Sequence, residues 1–81
     1  MPTVLREGPY RFYFFSHEPN ERPHVHVSRE HFVAKFWIDP VSLAANHGFA
    51  DHELRRIERM VRTHRDELIR VWQEWFDEQS G

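Results

Sequence analysis

Eighty-one residues, 40% of them hydrophobic and 30% charged, allow a single domain spanning residues 1–81 with one small core. A net charge of −2 provides no general attraction to nucleic acid or anionic lipid, and the absence of cysteine excludes a disulfide framework, a thiolate zinc site and a cysteine nucleophile. With no apolar run of about 18 residues and no basic, apolar leader, the expectation is a soluble, cytoplasmic protein that does not enter a membrane.

The first half reads as short strands. Thr3–Arg6 is a brief strand closed by Glu7-Gly8-Pro9, and Tyr10–Ser16, aromatic at five of seven positions, is a strand covered in part on both faces. A polar loop with two prolines, His17–Pro23, leads into His24-Val25-His26-Val27-Ser28. Strict alternation there puts both valines on one face and both histidines with Ser28 on the other. Val33–Ile38 is the next strand, closed by Asp39-Pro40. These elements predict an antiparallel sheet of three to four strands within residues 3–38.

The second half reads as helical. Val41–Asn46 is expected to form one or two turns, with Gly48 as a left-handed cap. From Asp51 to Asp77 there is neither Gly nor Pro, and Leu54, Ile57, Val61, His64, Leu68, Val71/Trp72 and Trp75 recur at intervals of three and four. This spacing predicts one amphipathic helix over about 51–77, with Asp51 as N-cap and a length of roughly 40 Å at 1.5 Å per residue. The fold class is therefore α+β: a small antiparallel sheet with a long C-terminal helix laid across its valine face. The stripe is expected to bury against Phe12, Phe14, Val25, Val27, Phe36 and Ile38.

The blocks M-P-T-V-L-R-E-G-P-Y-R-F-Y-F-F-S, R-P-H-V-H-V, A-K-F-W-I-D-P-V, G-F-A-D-H-E-L-R-R-I-E-R-M-V and W-Q-E-W-F, in this order along the whole chain, resemble a family of small bacterial proteins classed as a domain of unknown function. The resemblance implies membership of a two-gene, toxin–antitoxin-like module whose other product is also small. It implies no catalytic residue. Ala50 departs from the Ser that would complete a capping box with Glu53.

Seven histidines in the chain, four of them (His17, His24, His26 and His31) within fifteen positions, mark where chemistry is to be sought. His24 and His26 admit three readings. They are polar residues on a partly solvated sheet face, capped by aromatics; or, with Glu30 in the spacing H-x-H-x-x-x-E, candidate metal ligands. In the third reading they are the acid and base of a metal-independent RNA-cleaving toxin, because alternation gathers Arg11, Tyr13, Lys35 and Trp37 on the same face. No metal or other cofactor is favoured. The structural counterpart of that face is a second small core of Tyr13, Phe15 and Trp37 with Arg11 and Lys35 as its rim.

Arg55, Arg59 and Arg62 lie at i, i+4 and i+7 on the helix face away from Leu54, Ile57 and Val61, which fits a solvated face with a Glu58–Arg62 pair or contact with an acidic partner. Trp72, Trp75 and Phe76, rimmed by charge, are expected on an overhanging helix end. Together they predict a protein that works through protein–protein binding, to the product of an adjacent gene, to a second copy, or to both, with RNA as the other candidate partner.

Overall fold

The computed structural model describes residues 3–15 and 21–80, with side chains described as far as Phe76. Five strands form one antiparallel sheet in the order of the chain: β1 (Thr3–Glu7), β2 (Tyr10–Tyr13), β3 (His24–Arg29), β4 (Phe32–Ile38) and β5 (Val41–His47). Two-residue loops make three of the reversals, with Glu7 opposite Tyr10, Arg29 opposite Phe32 and Ile38 opposite Val41. Gly8 (φ 56°) and Glu30 (φ 56°) take the left-handed conformation that such tight turns demand. Among the described residues no helix is long and apolar enough to cross a membrane.

Two of the predicted elements are corrected. Val41–Asn46 is strand, because the Asp39–Pro40 loop returns the chain directly alongside β4 and pairing there outweighs the helix preference of Leu43-Ala44-Ala45. Gly48 does adopt positive φ (108°), at the exit of a strand and not at a helix end; a Cβ there would stand 2.3 Å from Phe32 Cδ1. The Asn46 side chain accepts from the Phe49 N–H (3.1 Å) and donates to the Phe49 carbonyl (3.0 Å), which steers Phe49 into the core.

The helical segment divides at His64 into α1 (Asp51–Thr63) and α2 (Arg65–Ser80), where a single helix was expected. No Gly or Pro lies nearby; the Thr63 hydroxyl donates to the Arg59 carbonyl (2.9 Å), a back-bond of the kind that bends helices, while the backbone bonds from the His64 N–H to the Met60 carbonyl (3.0 Å) and from the Leu68 N–H to the His64 carbonyl (2.9 Å) persist. His64 leaves helical geometry (φ −99°, ψ 10°) and its Nε2 meets Glu7 of β1 at 2.8 Å. The N-cap of α1 is Ala50, which makes no side-chain cap bond, and Asp51 and Glu53 lie in the first turn facing the positive end of the helix dipole.

The helices cover one face of the sheet. Ile57 and Val61 of α1 and Leu68, Trp72 and Phe76 of α2 are buried in one cluster with Phe12, Phe14, Val25, Val27, Ala34, Phe36 and Ile38, as the valine-face assignment requires. At one corner of this layer Glu53 accepts from the Tyr10 hydroxyl (2.6 Å) and from Arg29 through two bonds (2.7 and 2.9 Å), joining β2, β3 and α1.

Candidate functional site

The opposite face of the sheet carries the histidines. Register fixes its rows: Tyr13, His26 and Lys35 lie abreast on β2, β3 and β4, Arg11 is opposite Ser28, and His24 is opposite Trp37. The five residues considered for RNA cleavage, His24, His26, Arg11, Tyr13 and Lys35, thus share one face. Their accessibility differs sharply.

His24 is fully buried. Its ring lies 4.9 Å from the Trp72 ring and 5.9 Å from that of Trp37, and its Nδ1–H donates to the Arg22 carbonyl (2.9 Å). His26 retains 9% of its surface, stacked on Tyr13 at 5.4 Å, edge-on to Phe15 at 4.4 Å and 5.3 Å from His24. Burial pushes the Tyr13 phenol above its ordinary value, against the pull of the Arg11 guanidinium, so it carries its proton at neutral pH. The pair is consequently the floor of an aromatic layer.

The buried Tyr13 and the half-buried Trp37 form the rest of that layer, with cations laid over them. The Arg11 guanidinium is 4.6 Å from the Tyr13 ring centroid, that of Arg22 is 4.7 Å from Trp37, and Lys35 Nζ is 4.8 Å from the other reach of Trp37. Lys35 also pairs with Glu21 (2.7 Å), and Arg11 donates to the Thr3 hydroxyl (2.8 Å). Arg22 is the residue that the alternation argument missed, because it lies in the loop ahead of β3, where periodicity gives no signal.

The remaining candidates are placed differently from expectation. Trp72 and Phe76 are 6% and 8% exposed, with rings 4.1 Å apart and Trp72 edge-on to Phe14; Trp75 is partly buried. Trp72 and Phe76 therefore belong to the core and do not present the exposed surface expected of them on an overhanging helix end. Arg55, Arg59 and Arg62 are exposed on α1, with Arg62 held by Glu58 (3.1 Å). Glu30 sits in the β3–β4 turn, four residues along an extended strand from His26, or about 13 Å. The H-x-H-x-x-x-E spacing therefore does not converge, and among the described residues no three His, Asp or Glu side chains gather as a metal site would need. His17 lies outside the described residues.

A five-stranded antiparallel meander, with helices on one face and an aromatic, cation-rimmed layer on the other, defines the class: a small α+β domain. The chain belongs to the family described as a domain of unknown function (DUF4160), whose model matches residues 10–73. No curated protein and no solved structure matches it.

Proposed function

We propose that the protein acts by binding a partner protein, the product of an adjacent gene in a bacterial two-gene module of the toxin–antitoxin-like kind, and that it does so through the uncovered face around Tyr13, Phe15 and Trp37. The observation that carries this reading is the burial of His24 beneath Trp37 and Trp72. A general base must come within hydrogen-bond reach of its proton, and an imidazole sealed between two indoles, with Nδ1 committed to a carbonyl, does not. The surface above it has what protein recognition uses: the half-buried Trp37 with Arg22 and Lys35 over its ring and the half-buried Phe15 beside it, Trp and Arg being residue types that dominate binding energy at interface centres.

RNA cleavage is the second reading, favoured by one observation: His26, Tyr13 and Lys35 lie abreast, a proton carrier flanked by a stacking ring and a cation. One experiment separates the two. The protein is co-expressed with a tagged product of the adjacent gene, and is separately incubated with total RNA beside the His24→Ala/His26→Ala double variant and Lys35→Ala, each checked for folding by circular dichroism. Co-purification that Trp37→Ala abolishes, with no cleavage by any form, supports the binding reading. Cleavage lost in Lys35→Ala, which leaves the buried pair intact, replaces it with the enzyme.

A further inference from the structure

The sheet has two edges, and they differ. β1 is five residues long and carries Arg6 and Glu7, which discourage pairing with another strand, while both edge ladders contain a register irregularity, β1–β2 between Thr3 and Leu5 and β4–β5 between Lys35 and Phe36. β5 is seven residues long, V-S-L-A-A-N-H, with no Asp, Glu, Lys, Arg or Pro, in a chain that is 30% charged, and it is paired on one side only. Leu43 in its middle is 44% exposed, the only large hydrophobic so exposed among the described residues. It borders an open groove of about 200 Å³ floored by Phe36 and Leu54 and walled by Asp51, Arg55 and Glu58 of α1.

We infer that this edge is the seat of a second copy of the chain, with β5 pairing antiparallel to β5 of the partner about a two-fold axis near Leu43 and Ala44. Two independent features select a second copy over another occupant. The first is spacing. α1 lies over β4 and β5. In a continuous ten-stranded sheet the two α1 helices are displaced by two strand separations, about 10 Å, which is the distance at which helices pack side by side.

The second is charge. Asp51, Arg55, Glu58 and Arg62 stand at i, i+4, i+7 and i+11, one stripe on the flank of α1 about 100° round from Ile57 and Val61. Its first three residues wall the Leu43 groove, so this flank looks out past β5. Read along the helix the signs are minus, plus, minus, plus; reversed, as a two-fold axis requires of the partner, they are plus, minus, plus, minus. Each residue then meets its opposite: Asp51 faces Arg62 of the partner subunit and Arg55 faces Glu58 of the partner subunit. An isologous contact needs such a self-complementary pattern, and this stripe possesses it. An uncharged strand completes the fit, since no register of β5 on itself opposes like charges.

The test is light scattering and sedimentation equilibrium on the full chain over about 5–200 µM, the range in which an interface of this modest size associates. A dimer of the 9.9 kDa chain is expected. Arg55→Glu sets carboxylate against carboxylate twice, and Leu43→Lys places a charge in the groove; each is expected to weaken the dimer at least about tenfold. The double variant Arg55→Glu/Glu58→Arg restores opposite signs at every pair, and dimerisation is expected to return. Far-ultraviolet dichroism and thermal midpoint confirm that each variant is folded, which the exposure of Leu43 and Arg55 and the partial exposure of Glu58 permit. A chain that stays monomeric throughout, a dimer indifferent to Leu43→Lys, or a double variant no better than Arg55→Glu overturns the inference. So does a monomer whose β5 amides are protected only when a different protein is added, which would give the edge to that protein.

Discussion

Ile57→Ala is the sharpest test of how the two layers are held together. Ile57 is fully buried, on the turn of α1 that faces the sheet, in one cluster with Phe36, Ile38 and Val61. The change removes three carbons, worth about 2.4 kcal/mol at about 0.8 kcal/mol per buried methylene. The unfilled space adds roughly 1 kcal/mol, because strands below and a helix above cannot both collapse into it. Alanine's better helix propensity returns about 0.4 kcal/mol. The net loss is about 3 kcal/mol, most of the stability that a domain of 81 residues commands. At about 4–8 °C per kcal/mol for chains of this size, the thermal midpoint falls by roughly 12–24 °C. Ile57→Val, one methylene smaller, costs about 1 kcal/mol, and Arg59→Ala on the exposed side of the same helix costs under about 0.5 kcal/mol. Urea and thermal unfolding of the three side by side decide the matter. If Ile57→Ala costs no more than Arg59→Ala, α1 does not dock on the sheet through this stripe.

Glu53 sits between Arg29 and Tyr10, and the Arg29 guanidinium, with help from the Tyr10 hydroxyl, holds its carboxyl down to about 2. A carboxyl depressed on folding contributes stability above its unfolded pKa and loses it as pH falls, so wild-type stability declines between about pH 5 and pH 2 while Glu53→Gln, weaker at neutral pH, shows a flatter acid limb in unfolding titrations. Gly48→Ala, at φ 108° and against the Phe32 ring, lowers the thermal midpoint, and Glu30→Gly, which relieves a left-handed glutamate, leaves the unfolding free energy unchanged or higher by up to about 1 kcal/mol. Trp72→Ala costs about 3–5 kcal/mol as a core truncation, which separates it from Trp37→Ala on the uncovered face, at about 1–2 kcal/mol; chemical denaturation of both measures the contrast.

Local alternation carried most of what the sequence made legible. In His24-Val25-His26-Val27-Ser28 and Val33–Ile38 the period of two assigns every side chain to the correct face, because a strand leaves no freedom in that respect. The helical stripe is equally readable from Ile57 to Leu68, since a one-residue break at His64 hardly disturbs a period of 3.6. What was hidden depends on contacts far along the chain. β5 has the composition of a helix and becomes a strand only because a two-residue loop lays it against β4. The burial of His24 comes from Trp72 on α2, and the clamp on Glu53 comes from residues 24 and 43 positions away. Trp72 and Phe76 illustrate the reverse error: aromatics at the end of an overlong helix imply exposure, and in a segment divided at His64 both lie in the core.

The proposed role makes the sheet face around Trp37 a protein-binding surface. Calorimetric titration of the adjacent gene's product into the wild type, Trp37→Ala, Arg22→Ala and Arg59→Ala measures this directly, with each variant first shown to be folded. The expected result is that Trp37→Ala and Arg22→Ala each weaken binding by about tenfold or more, the size of a central aromatic or arginine anchor, and that Arg59→Ala, on the far layer, leaves it unchanged. Equal affinity across all four proteins would contradict it.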